Sequence, residues 1–187
     1  MKQIAVIFAL LLSVGIRPSN GIAHERTPNI LFILADDWGW GDLSWHGNNV
    51  VRTPQLDRLA NEGIDFHQFN VLNPVCSPSR TAFMTGLFPA RFSIHEAISS
   101  ASKNLAINQA DWLDSSATML PRLLKEAGYA TGHFGKWHLC GPFSDAPLPP
   151  AYGIDEYAIW TGPKGAKETD FHNVYDDGIA FMKKHQD

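Results

Sequence analysis

The residues best suited to chemistry fall in three short runs. Cys76-Ser77-Pro78-Ser79-Arg80 places a cysteine just ahead of residues 79–85, which read as a short helix closed by Gly86. A helix N-terminus presents N–H groups without intrahelical partners and the positive end of the backbone dipole, so an anion is favoured there. Arg80, one turn in, can offer a planar fork of donors to the same anion. A bare thiolate in that position would be a nucleophile activated by the dipole. Asp36-Asp37 forms the second run. Two adjacent carboxylates repel one another in a dry crevice unless a cation sits between them, and hard oxygen donors favour calcium or magnesium; the alternative is a solvated turn. Gly135-Lys136-Trp137-His138-Leu139 is the third. Lys136 supplies a compact positive charge and His138 a titratable proton carrier, although a Lys-x-His pair fits a structural histidine equally well.

These runs have to be positioned by regular elements. Residues 30–35 are a continuous apolar run ended by charge and glycine, which predicts a strand buried on both faces of a parallel sheet. Asp36 and Asp37 would then sit beyond its carboxyl end, where ligand sites form in open α/β sheets. Thr53 as N-cap, Pro54 in the first helical position and Gly63 as stop predict a helix with Leu56, Leu59 and Ala60 on one face. Residues 64–69 alternate like a strand. Residues 119–127 predict a helix that buries Leu120, Leu123, Leu124 and Ala127, with Gly128 after it. Residues 129–134 read as a further strand leading into Lys136, and residues 142–163 as ordered loop. A last amphipathic helix, over residues 174–185, carries Tyr175, Ile179 and Met182 on one side. Strands alternating with helices predict a parallel sheet covered on both faces. No strand follows the last helix, where an alternating fold needs one within a few residues, so the chain reads as truncated.

Composition narrows the class. With 44% hydrophobic and 18% charged residues over 187 positions, the chain is globular, with one domain the default. A net charge of −4 and the lack of a basic stripe give no sign of a nucleic-acid partner. Lys2, the uncharged run 4–16 and the small residues Gly21 and Ala23 have the grammar of a signal peptide spanning residues 1–23. That run is shorter than the ~20 residues of a membrane-spanning helix, so no stable membrane anchor is expected and the mature protein would be secreted or periplasmic. Export would permit a Cys76–Cys140 disulfide, but two cysteines make no disulfide framework.

Cys76-Ser77-Pro78-Ser79-Arg80 resembles the core signature of the sulfatase family: Cys, any residue, Pro, any residue, Arg, with Ser common in the fourth place. Such a pattern arises by chance in about one per cent of chains of this size or fewer. The likeness continues through Thr81-Ala82-Phe83-Met84-Thr85-Gly86-Leu87-Phe88-Pro89-Ala90-Arg91. It extends to Pro28-Asn29-Ile30, Asp36-Asp37-Trp38-Gly39-Trp40-Gly41-Asp42 and Thr53-Pro54-Gln55-Leu56-Asp57-Arg58-Leu59-Ala60-Asn61-Glu62-Gly63. Leu124-Lys125-Glu126-Ala127-Gly128-Tyr129-Ala130-Thr131 followed by Gly135-Lys136-Trp137-His138-Leu139 is similar to the second signature block. Tyr152-Gly153-Ile154-Asp155-Glu156 is similar to a Gly-Phe-Asp segment, with Ile in place of Phe. The chain departs from the pattern at Cys140, which intervenes where the family usually has Gly, before Gly141.

The resemblance implies an alkaline-phosphatase-like, three-layer α/β/α fold with a mostly parallel sheet, incomplete here, in which residues 24–187 form the N-terminal part of the catalytic domain. It implies that a formylglycine-generating maturase oxidises Cys76 to Cα-formylglycine. The hydrated aldehyde would attack sulfur with one hydroxyl, and the other would later expel sulfate. One calcium ion would be held by Asp36, Asp37 and residue 76, with Arg80, Lys136 and His138 completing the catalytic set. The substrate would be a sulfated small molecule or a sulfated carbohydrate. The family's remaining metal ligands have no match after Asp155; Asp176-Asp177-Gly178 resembles them superficially but falls in the last helical pattern and reads as a solvated face. The rivals are a phosphonate monoester hydrolase or phosphodiesterase of the same superfamily, and a non-catalytic fragment.

Overall fold

A computed structural model describes residues 27–170 and 172–186; the signal peptide read over residues 1–23 lies outside them. The backbone divides into two units, Met1–Trp38 and Gly39–Asp187.

In the first unit the described residues, 27–38, form no regular element. Ile30, Leu31, Phe32 and Ile33 are 59%, 65%, 62% and 71% exposed, so the strand expected over residues 30–35, buried on both faces, is not formed. A strand is completed by its neighbours, which must take up its N–H and C=O groups. Among the described residues the one ladder lies elsewhere, between two strands of the second unit. Residues 64–69 likewise form no strand.

The second unit contains helices α1 (Pro54–Glu62), α2 (Cys76–Thr85), α3 (Ala101–Ala106), α4 (Leu120–Glu126) and α5 (Val174–Lys184), with strands β1 (Gly132–Lys136) and β2 (Glu156–Trp160). Strands β1 and β2 pair in parallel, Gly132 opposite Glu156 and Lys136 opposite Trp160. The ladder runs on past β1, since Trp137 N–H donates to Trp160 O (3.0 Å) and His138 N–H to Thr161 O (3.2 Å). At the other end Asp155 ties the register. Its carboxylate accepts from Thr131 N–H (3.0 Å) and Thr131 Oγ1 (2.9 Å) and pairs with Lys125. The Lys125 hydrogen bond, and then those from Thr131, hold the Asp155 carboxyl below its ordinary range.

The core lies beneath the end of β1. Ile94, Ile98, Leu113, Met119, Trp137, Leu139, Cys140, Tyr152, Ile154 and Ile159 form one buried cluster. Trp137 packs edge-on against Tyr152 (ring centroids 5.2 Å apart), whose hydroxyl donates to Leu113 O (2.9 Å). Two helices present different faces from those expected. In α4, Leu120 and Leu123 are half exposed, while Pro121 is buried and Arg122 donates to the carbonyls of Ser115, Ala117 and Ala151. In α5, Tyr175, Ile179 and Met182 share a side but remain exposed; the helix meets the sheet through Phe181, 5.5 Å from the Phe134 ring. Asp177 is more than a solvated charge, since it accepts from Thr169 Oγ1 at 2.8 Å.

Candidate active site

Cys76 is the first residue of α2, three residues earlier than the helix signal in the sequence suggested. Val75 is extended and provides no side-chain cap. Pro78 is tolerated because the first turn of a helix has no use for its missing N–H. At the far end Gly86 takes the left-handed conformation (φ 69°) and its N–H closes on Ala82 O at 2.8 Å. The turn before the helix is fixed by Asn73, whose side chain accepts from Val75 N–H (2.8 Å) and whose carbonyl accepts from Ser79 Oγ. Ser77, Pro78, Arg80 and Thr81 are buried, whereas Cys76 is half-buried, so the helix start is anchored while the thiol keeps access to solvent.

Two connections join this helix start to the end of β1. Arg80 Nη1 donates to the Lys136 carbonyl (2.5 Å). Ile98 provides the other: its N–H donates to Ser77 Oγ (3.0 Å), and its carbonyl meets His138 Nε2 (3.1 Å). A carbonyl only accepts, so that bond assigns the His138 proton to Nε2. Gly135 (φ 115°) and His138 (φ 50°) both have positive φ, the region that glycine enters freely and other residues seldom adopt. Cys76, Arg80, Lys136 and His138 thus belong to two abutting elements of one unit.

Cys140 is fully buried, and burial pushes its thiol up to about 11. Both cysteines are free thiols, which excludes a Cys76–Cys140 disulfide in this structure. The inserted Cys140 serves the core, and Gly141 after it lies so close to the Ser99 carbonyl that a Cβ would fall 2.2 Å from that oxygen.

Asp36 and Asp37 lie in the other unit, both exposed, with Asp37 at φ 58°. Their oxygen donors suit a hard divalent cation, but two carboxylates fall short of the six to eight oxygens that calcium takes. Among the described residues no group of three or more His, Cys, Asp or Glu side chains gathers to hold a metal ion.

Sequence reasoning passed over His133 and Ser77. Ser77 lay inside the cysteine motif, and its bond to Ile98 is a long-range contact with no local signal. His133 lay inside a strand pattern. Its Nε2 meets the Lys136 carbonyl at 3.1 Å, and its ring stands edge-on to Trp137 (5.0 Å). Desolvation holds the ring down to about 4; the neighbouring Arg80 charge adds to this and the Lys136 bond opposes it.

Comparison with known proteins bears on this arrangement. Mouse steryl-sulfatase is 46% identical over 73% of this chain and 22% of its own length. Human N-acetylgalactosamine-6-sulfatase is 41% identical over 71% of this chain and 25% of its own length. A solved structure of a protein in complex with its substrate D-glucosamine-2-N,6-O-disulfate superimposes with a TM-score of 0.57 at 32% identity, over 72% of this chain and 23% of that one. The crystal structure of Ps i-CgsB gives 0.60 at 30% identity, over 82% and 32%. The chain therefore spans about a quarter of the length of the curated relatives it matches. The fold class is that of the sulfatases, α/β and alkaline-phosphatase-like, represented among the described residues by a two-stranded parallel sheet and its helices. The sulfatase family model matches residues 28–183, and the chain belongs to the sulfatase family.

Proposed function

We propose that the protein carrying this chain hydrolyses a sulfate monoester to an alcohol and free sulfate, using a formylglycine made from Cys76 as nucleophile. The observation that carries the proposal is the place of Cys76: the accessible first residue of α2, with Arg80 joining that helix to Lys136 and Ile98 joining it to His138. In this reading the hydrated aldehyde at residue 76 attacks sulfur through one hydroxyl, and the bond between sulfur and the ester oxygen breaks as the alcohol takes up a proton. The second hydroxyl then gives up its proton, the bond from residue 76 to sulfate breaks, and the aldehyde returns. Net consumption is one water.

The uncapped N-terminus of α2 and the Arg80 and Lys136 cations would balance charge on the transferring group. With its Nε2 proton on Ile98 O, His138 would move protons through Nδ1. Asp36, Asp37 and the oxygen of residue 76 would hold calcium, which when bound supplies Lewis-acid polarisation. The substrate class is a sulfated carbohydrate or other sulfated small molecule, in line with the disulfated glucosamine bound in a related structure. Maturation would occur during export, after recognition by a formylglycine-generating enzyme, with the signal peptide at residues 1–23 directing the product to the periplasm or the exterior.

The test is the mass of the tryptic peptide holding residue 76 after co-expression with such a maturase. A loss of about 18 Da relative to Cys, thiol side chain to aldehyde, is expected; an unmodified cysteine would count against the mechanism. Paired assays on an aryl sulfate and an aryl phosphodiester check the substrate. Preference for the diester would replace this reading with the phosphodiesterase one.

A further inference from the structure

We infer that His133 is a positioning residue for the Lys136–His138 turn, acting as a neutral Nε2–H donor that shares the Lys136 carbonyl with Arg80. The inference rests on the proposed function only in treating that turn as catalytic. The Lys136 carbonyl accepts two hydrogen bonds, one from Arg80 Nη1 on α2 (2.5 Å) and one from His133 Nε2 on its own strand (3.1 Å). A carbonyl oxygen has two lone pairs, so both are used and the peptide plane after Lys136 is fixed from two directions. Because that oxygen cannot donate, His133 must carry its proton on Nε2. The edge-on contact with the buried Trp137 holds the imidazole in register, and Trp137 is the residue between Lys136 and His138.

The N–H edge of that peptide is held by the ladder, Trp137 N–H donating to Trp160 O (3.0 Å), while its carbonyl edge depends on Arg80 and His133. Positive φ at Gly135 and His138 flanks this carbonyl, an uncommon backbone conformation for the histidine, so the orientation of the Lys136 carbonyl rests on the two donors that meet it. The charge state matters as well. A protonated His133 would place a second cation against Arg80, and desolvation together with the Arg80 charge disfavours that form.

The experiment compares the wild-type chain with His133→Gln, whose Nε2 can occupy the same donor position, and His133→Met, which keeps volume and loses the donor. Nitrogen-15 NMR on histidine-labelled protein at pH 6 should show His133 as the neutral Nε2–H tautomer. The His138 ring signals should move in His133→Met and return in His133→Gln. With turnover measured on an aryl sulfate, kcat should fall about 10- to 100-fold in His133→Met, with KM changing much less, and recover in His133→Gln. An Nδ1–H or protonated His133, or a glutamine variant indistinguishable from the methionine one, overturns the inference. If His133→Met fails to fold, the wild-type tautomer and the glutamine variant still decide it. Failure of the sulfatase reading has a separate signature, a wild-type protein without turnover, and leaves the tautomer result to stand or fall alone.

Discussion

Residues 75–80 and residues 30–37 both carry sulfatase-type residues, and the structure treats them in opposite ways. Around Cys76, a turn fixed by Asn73, three buried neighbours and cross-connections to Ile98 and Lys136 define the backbone from several sides. Around Asp36 and Asp37 the chain has no ladder partner among the described residues, and the apolar run before them is exposed. A helix closes its own hydrogen bonds within a few residues, so the signals that make α2 are all local. A strand's bonds belong to other segments, so even a strongly apolar run remains irregular until those segments flank it.

The largest expected effect tests whether the end of β1 is as tightly specified as that contrast requires. Gly141→Ala would drive a methyl group into the Ser99 carbonyl, an approach of 2.2 Å to backbone rather than to a flexible side chain. Overpacking of this kind costs about 3 kcal/mol, read as a drop in the urea midpoint with an unchanged slope. A tolerated alanine would mean that the turn at Cys140-Gly141 gives way, and the anchored region would be less fixed than residues 75–80 suggest.

Arg80→Lys probes the connection itself. Arg80 is 5% exposed, and lysine cannot reproduce the geometry that meets the Lys136 carbonyl. The expected loss is about 2 kcal/mol of stability, from a buried acceptor left half-satisfied and an ammonium poorly solvated. Together with the loss there should be a change in the His133 ring signals, since both residues bond one oxygen.

Much of the candidate site was legible beforehand, and the reason differs by residue. Cys76, Arg80, Lys136 and His138 stand within short motifs, α1 and α2 carry start or stop signals such as Pro54 and Gly86, and α5 carries an amphipathic pattern. Orientation was less legible. The apolar spacing of Leu120 and Leu123 predicted a buried face for α4, yet Pro121 is the buried residue there and Arg122 reaches three carbonyls. The strand over residues 30–35 failed for the reason given above. His133 escaped notice because its burial, its bond to the Lys136 carbonyl and its nearness to Arg80 are set by the fold, and no spacing rule announces them.

A pH titration sharpens the comparison further, since His133 belongs to the anchored region. Its folded value of about 4 lies below the ordinary 6.5, so between those values the unfolded chain binds more protons. The contribution is complete above about pH 6.5 and is lost as pH falls toward 4. The shift would correspond to about 3 kcal/mol, and partial solvent access to the ring reduces this to about 2. Arg80 and the Lys136 carbonyl are the groups facing the ring and do not titrate in this window. Urea midpoints measured from pH 7 to pH 4 should therefore fall more steeply for the wild type than for His133→Gln. Equal slopes would remove His133 from the account.

The smallest effect is expected in the open region. Ile33 is 71% exposed, so replacing it with threonine deletes little buried area and leaves the urea midpoint within about 0.5 kcal/mol of the wild type. The matched control is Ile94→Ala, at a fully buried position, where loss of packing costs about 2–5 kcal/mol. The pair distinguishes two origins of an exposed apolar run. If residues 30–35 contribute nothing to the fold of this chain, Ile33→Thr is silent and Ile94→Ala is not. If Ile33→Thr destabilises comparably, the run packs in solution, and the contrast between a self-sufficient helix start and a partner-dependent strand would have to be abandoned for this segment.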